Sequence, residues 1–180
     1  MSWDWSILRA VQSTLTCPAL DFLMPRVTAL GNGGVIWLAA AGGLLCTKKY
    51  RRQGLLLLGG LAAGVLVGNG LLKHLVARPR PCWLDDSVRL LIAVPTDYSF
   101  PSGHTLSSAI GATVLTGTDR CFGWIAIPLA VLIAFSRLYL YVHFPSDVLA
   151  GAVLGVVIGG LALCLNKRLS LRRGRLPEGT

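Results

Sequence analysis

The sequence predicts an all-α protein: a polytopic membrane helical bundle of five to six transmembrane helices, preceded by an N-terminal interfacial helix. Two observations carry that expectation. The 180 residues are 53% hydrophobic and only 14% charged, with a mean hydropathy of +0.63, more apolar surface than a soluble domain of this length can bury. The apolar residues are also gathered into runs near the ~20 residues that a helix needs to cross a hydrocarbon core, separated by short polar clusters.

The elements follow in order. Trp3, Ile7, Leu8, Val11 and Leu15 share one helical face and Asp4, Arg9, Gln12 and Ser13 the other, the pattern of a helix lying in the membrane interface. The segment has neither the basic start nor the continuous apolar centre of a secretory signal. Residues 19–30, broken by Pro25 and Arg26, form either a separate short helix or the outer part of the first span. Spans are expected over 30–46, 54–72, 122–142 and 147–165. A shorter run, 104–117, follows a Pro-Ser-Gly turn; at about 1.5 Å per residue it cannot cross the full core, which implies a recessed site. The organisation is thus 1–29 as interfacial and short helices, 30–165 as the membrane-embedded domain and 166–180 as a basic cytoplasmic tail. Glycines at 59, 60, 64 and 68, and at 151, 155, 159 and 160, read as points of close helix packing.

The formal charge of +9 does not indicate a nucleic-acid partner, because the basic residues sit in clusters between apolar runs rather than along one face. They read as orientation signals and as attraction to anionic lipid. Lys48, Lys49, Arg51 and Arg52 share one loop, Arg120 lies in another, and Lys167, Arg168, Arg172, Arg173 and Arg175 lie in the tail. With all three cytoplasmic, residues 73–103 and 141–146 lie outside. The five cysteines (Cys17, Cys46, Cys82, Cys121 and Cys164) are dispersed, without zinc-ligand spacing; a Cys17 to Cys82 bridge stays open.

Three polar clusters then fall on one membrane face: Lys73 with Arg80-Pro81, Pro101-Ser102-Gly103-His104, and Ser136-Arg137 with His143 and Asp147. Charges at span ends are costly unless paired or functional. Lys73, Arg80 and Arg137, with Arg78 as a fourth candidate, form a cationic pocket that suits phosphate, which an Arg fork grips through two oxygens. Ser102 is placed to cap a helix whose free N–H groups point at an anion, with Gly103 allowing close approach and His104 in the first turn. Asp147, four residues after His143, can hold one imidazole nitrogen and leave the other free to attack. Asp85, Asp86 and Asp97 are the other acidic cluster on that side; the choice there lies between a magnesium site and a solvated loop, and the latter reading is preferred.

Lys73-x6-Arg80-Pro81, Pro101-Ser102-Gly103-His104 and Ser136-Arg137-x5-His143-x3-Asp147 together resemble, without departure, the three-part signature of the type 2 phosphatidic acid phosphatase superfamily. The likeness extends over most of the chain from about residue 30. It implies a phosphohistidine on His143 oriented by Asp147, with His104 protonating the leaving oxygen and then activating water. It further implies that Lys73, Arg80, Ser102, Gly103 and Arg137 hold the phosphoryl oxygens, with no metal and no cofactor. A minimal chain with an outward-facing site resembles the bacterial members that hydrolyse undecaprenyl diphosphate in the plasma membrane. A phosphatidic acid or phosphatidylglycerophosphate phosphatase is the alternative, and a non-enzymatic lipid or anion transporter is the alternative of another class. The expected partners are a lipid phosphate and the bilayer; oligomeric state is left open.

Overall fold

A computed structural model describes the backbone of residues 3–173 and the side chains of 3–168; of the expected basic tail, Arg172, Arg173 and Arg175 lie outside the described side chains. Every regular element among the described residues is helical. These are α1 (Trp3–Thr14), α2 (Pro18–Gly31), α3 (Val35–Leu45), α4 (Arg51–Gly64), α5 (Lys73–Val76), α6 (Pro81–Leu84), α7 (Gly103–Thr118), α8 (Arg120–Tyr139) and α9 (Pro145–Arg173). Among the described residues four stretches are long and apolar enough to cross a membrane: Pro18–Leu45, Arg51–Leu84, Arg120–Tyr139 and Pro145–Arg168. The apolar run expected to begin at residue 30 therefore starts earlier, and residues 19–30 belong to the first candidate span, Pro18–Leu45.

That first span is bent for a local reason. Pro18 starts α2, where its missing N–H costs nothing. Between α2 and α3 the turn Asn32–Gly34 places Gly33 at φ 58° and Gly34 at φ 71°, a left-handed backbone that glycine adopts without a Cβ clash. The second span widens into a π-helical stretch, Val65–Leu72, around Gly68-Asn69-Gly70; such bulges break the regular ladder and often mark functional positions. Both irregularities put an asparagine, Asn32 and Asn69, beside one cavity.

Helix α7 is the central element, packed against α4, α8 and α9. Its residues Leu106, Ile110 and Val114 are buried, and the Trp37 indole of α3 donates to Ser108 Oγ at 3.0 Å. Helix α9 meets it through glycines one turn apart. A Cβ on Gly151 would lie 2.7 Å from the Ser102 carbonyl oxygen, and one on Gly155 2.6 Å from that of Leu106. On the other flank, Gly64 and Gly68 abut Ile110 and Leu106. The glycine pattern thus brings three backbones together, while large apolar side chains such as Trp124, Ile125, Val153 and Leu161 remain exposed on the outside, as a lipid-facing surface requires.

The two ends of the bundle differ. At one end the Tyr50 ring meets Phe122, with centroids 5.5 Å apart, and its hydroxyl reaches Asp119, so the turn carrying Lys48 and Lys49 adjoins the turn carrying Arg120. At the other end lie the three polar clusters, closed from behind by α1. Leu8 and Val11 of α1 are buried while Trp3 and Ile7 are exposed, so α1 docks on protein as well as presenting an apolar edge. Asp4, expected on the polar outer face, is instead buried, because it pairs with Arg78. All five cysteines are free, Cys17 and Cys82 among them.

Substituting Gly155→Val is expected to force α7 and α9 apart and to lower stability by about 1–3 kcal/mol, the usual cost of overpacking. Gly160→Val, where a Cβ would meet nothing within 4 Å, is expected to be neutral. Thermal unfolding of the two variants in detergent checks both.

Candidate active site

The clusters separated in sequence meet around a cavity of about 880 Å³ lined by Lys73, Arg80, Gly103, His104, Arg137 and His143. Lys73 and Arg80 come from the end of the second span and the stretch before α6, His104 from the first turn of α7, Arg137 from the last turn of α8 and His143 from the α8–α9 turn. Asp147 lies behind His143 in the first turn of α9, at 0% exposure.

Burial makes the cations notable. Lys73, Arg80 and Arg137 are all withdrawn from solvent, an arrangement that is unstable unless charge or hydrogen bonds compensate. Lys73 pairs with the Asp97 carboxylate, and Arg80 Nη2 reaches the other oxygen of that carboxylate at 2.7 Å. Arg80 is further held by the carbonyl oxygens of Asp97 and Val142, each at 2.7 Å. Arg137 donates to Thr28 Oγ1 at 2.5 Å, yet its Nε has no partner and it enters no ion pair among the described residues. Three cations against one carboxylate leave about two positive charges facing the cavity, which suits an anion carrying more than one negative charge. Burial alone would raise the Asp97 carboxyl, but Lys73 and Arg80 outweigh it and hold the group down at about 2.

The hydrogen bonds also fix the His143 tautomer. Arg80 Nη1 lies 3.0 Å from His143 Nε2; a guanidinium can only donate, so Nε2 accepts and Nδ1 carries the proton. Nδ1 faces Ser99 Oγ at 3.3 Å, and Ser99 Oγ donates to Asp147 Oδ2 at 2.5 Å. Asp147 Oδ2 is itself 3.7 Å from Nδ1 and also accepts from the Phe144 N–H at 2.9 Å. The expected His143–Asp147 partnership is therefore present but runs largely through Ser99. Its result is a basic nitrogen directed into the cationic cavity. Burial, reinforced by Arg80 and Arg137, pushes His143 down to about 3 against the opposing pull of Asp147, so the ring is neutral at physiological pH.

The other expected residues are placed less uniformly. His104 lines the cavity, and its Nε2 meets Asn32 Oδ1 at 2.9 Å, so the break in the first span orients the second histidine. Gly31 packs so closely on that ring that a Cβ would sit 2.7 Å from His104 Cδ2. Gly103 leaves room for the Asn69 side chain, 3.1 Å from where its Cβ would be. Ser102 occupies the N-cap position, but its hydroxyl caps nothing; it accepts from Thr105 Oγ1, and the Ser102 N–H donates to the Asp147 carbonyl. Arg78 is turned away from the cavity, onto Asp147 and Asp4. Asp85 accepts from the Tyr141 hydroxyl and the Ser87 N–H, so it and Asp97 serve separate networks.

Three contributors escaped the sequence reading, Asn32, Asn69 and Ser99, and a fourth, Asp97, read as part of a solvated loop although it pairs with Lys73 and Arg80. Two left a signal, since Asn32 and Asn69 are lone amides inside apolar runs beside glycines, and polar groups at membrane depth are seldom idle. Ser99 and Asp97 lie in an irregular segment whose path only the fold reveals.

Known proteins resemble the chain in sequence and in fold. The model of the PAP2 superfamily matches residues 53–170. The chain is 37% identical over 129 residues to an undecaprenyl-diphosphatase of Sulfolobus acidocaldarius, covering 71% of this chain and 62% of that one, so it spans under two thirds of that relative's length. It is 31% identical over 165 residues to a decaprenylphosphoryl-5-phosphoribose phosphatase of Mycobacterium tuberculosis, covering 87% of this chain and 86% of the other. The crystal structure of a transmembrane PAP2-type phosphatidylglycerolphosphate phosphatase from Bacillus subtilis superposes with a TM-score of 0.75 at 28% identity, over 92% of this chain and 85% of that one.

Neutral burial of His143 has a consequence for stability. Its folded value of about 3 lies below the ~6.5 of an exposed imidazole, so the unfolded chain binds the extra proton first as pH falls. The contribution is whole above about pH 6.5 and is lost progressively below it. Melting temperature in detergent is expected to drop between pH 7 and pH 4, and to drop less steeply in His143→Gln.

Proposed function

The chain belongs to the PAP2 superfamily and is a multi-pass membrane protein, and from that premise we propose that it is a lipid phosphatase that hydrolyses undecaprenyl diphosphate to undecaprenyl phosphate at the outer face of the plasma membrane. The observation that carries this reading is the lining of the cavity. His104, His143, Lys73, Arg80 and Arg137 line it together with the apolar Leu38, Leu58, Leu61, Ala62 and Val65 of the first two spans. A headgroup with two or more negative charges and an apolar tail match those two kinds of lining. We read α7 as a fifth membrane helix, embedded but too short to span, which sets the site below the membrane surface. Outward orientation rests on the basic turns at the opposite end of the bundle.

In the proposed reaction the terminal phosphoryl group takes the place of the Asp97 carboxylate on Lys73 and Arg80 and engages the free Nε of Arg137. The N–H groups at the start of α7, after Gly103, add donors to its oxygens. Movement of Arg80 from Nε2 to phosphate frees the nitrogen lone pair. His143 Nε2 then attacks phosphorus; the N–P bond forms as the P–O bond to undecaprenyl phosphate breaks, and His104, in its protonated form, supplies the proton to the leaving oxygen. Asp147, through Ser99, stabilises the charge that develops on the imidazole. His104 then takes a proton from water, whose oxygen attacks phosphorus and releases inorganic phosphate and free His143. Positioning and charge stabilisation account for such a transfer, and every group named belongs to the chain, so turnover is expected to persist in EDTA.

Phosphate release by detergent-purified protein on undecaprenyl diphosphate and phosphatidylglycerophosphate, side by side in EDTA, tests the reading. The diphosphate is expected to be preferred, His143→Ala to be silent and vanadate to inhibit. Preference for the glycerolipid assigns the chain to glycerophospholipid metabolism. Lipid movement without phosphate release marks a transporter and refutes the enzyme reading. Arg137→Met, which removes the buried cation lacking an ionic partner, is expected to cost about 2–4 kcal/mol of transition-state stabilisation, comparable to loss of one oxyanion donor.

A further inference from the structure

Helix α1 lies outside the residues that match the family model, yet it delivers a carboxylate to the back of the site. Asp4 is 5% exposed. Its Oδ1 accepts from the Ser146 N–H at 2.9 Å, and its Oδ2 accepts from Ser146 Oγ and Arg78 Nη2, each at 2.7 Å. Arg78 spans the gap: Nη1 donates to Asp147 Oδ1 at 2.7 Å and to Ser146 Oγ at 2.6 Å. The guanidinium lies over the Phe144 ring, 4.0 Å from its centroid, and Phe144 is met edge-on by Trp5 of α1. Helix α1 also reaches the preceding helix end, where Gln12 donates to the Tyr139 carbonyl at 2.8 Å.

The two oxygens of Asp147 are therefore divided. Oδ2 serves Ser99, the Phe144 N–H and the imidazole side, while Oδ1 belongs to Arg78. A wholly buried carboxylate needs such a partner to stay ionised. A guanidinium paired with Asp147 alone would cancel the charge that His143 needs while its ring acquires phosphorus. Asp4 shares that guanidinium, so the trio carries one net negative charge and Asp147 keeps its pull on Nδ1–H. The fork geometry also fixes the carboxylate plane, which a Lys point charge cannot do.

We infer that Asp4 and Arg78 are positioning residues for the nucleophile: they set the orientation and charge of Asp147, and through it those of His143, which makes α1 part of the catalytic apparatus. The inference rests on the phosphatase reading above. It differs from a phosphate-binding role for Arg78, whose side chain does not line the cavity.

Full-length wild type, Arg78→Gln, Arg78→Lys, Asp4→Asn and the Asp4→Asn/Arg78→Gln double variant are compared for kcat and KM on undecaprenyl diphosphate and on p-nitrophenyl phosphate, alongside melting temperature. Arg78→Gln is expected to lower kcat about 10- to 100-fold, the scale seen when a supporting partner of a reactive residue is lost, with KM little changed. Arg78→Lys is expected to recover part of that loss, and Asp4→Asn to show a smaller one. The double variant is expected to be no slower than Arg78→Gln, because Asp4 acts through Arg78. Wild-type kcat in folded Arg78→Gln, a rise confined to KM, or additive losses in the double variant would overturn the inference. If Arg78→Gln does not fold, wild-type kcat in both Arg78→Lys and Asp4→Asn overturns it. Turnover that is insensitive to Arg78 sinks only this inference, whereas a wild-type chain silent on both substrates sinks the phosphatase reading with it.

Discussion

The close approach of α7 to α9 and α4 is the constraint on which the site depends. No side chain beyond hydrogen fits at Gly151 or Gly155 without meeting the backbone of residues 102–106. That contact places the start of α7 directly beside the start of α9, where the Ser102 N–H donates to the Asp147 carbonyl. His104 and His143, 39 positions apart in the chain, are thereby brought to one cavity. In a bilayer, where association gains little from hydrophobicity, such backbone proximity is a main source of packing energy, so the same glycines serve stability and the geometry of the cavity.

Charge is the second organising principle. A membrane protein does not bury Lys73, Arg80 and Arg137 together without compensation. Here the compensation is incomplete on the cavity side, where Asp97 answers two of the three, and more than complete behind His143, where Asp4 and Asp147 share Arg78. The histidine sits on the boundary between a positive front and a negative back. In the proposed reaction a phosphoryl group is drawn to the front, and the positive charge that develops on the imidazole is met from the back.

Much of this was legible in the sequence, and the rest was not for definable reasons. The polar clusters stood out because the apolar background made each charge an exception, and their order predicted one shared face. The helix count was less legible: residues 19–30 read equally as a separate short helix or as part of the first span because Pro25, Arg26 and the glycines at 31, 33 and 34 interrupt the periodicity, whereas the chain bends there and continues. Arg78 carried the same local signal as Arg80, two residues away, yet Arg80 reaches His143 Nε2 while Arg78 pairs with Asp147 and Asp4. Asp4 read as polar surface because its partner lies 74 positions along the chain. Ser99 needed the path of the 85–102 segment to be known. Residues whose role depends on a distant partner are those that local pattern cannot reveal.

The central claim is that His143 carries the phosphoryl group between two steps, and the most direct test is to trap it. Wild-type protein mixed with terminally radiolabelled undecaprenyl diphosphate and quenched in alkali within milliseconds is expected to carry label that is stable to base, released by acid and located on the peptide containing His143. The His104→Ala variant is expected to retain more label, because water is activated poorly in the second step. Turnover without any acid-labile label in either protein, or label on a residue other than His143, would contradict the account.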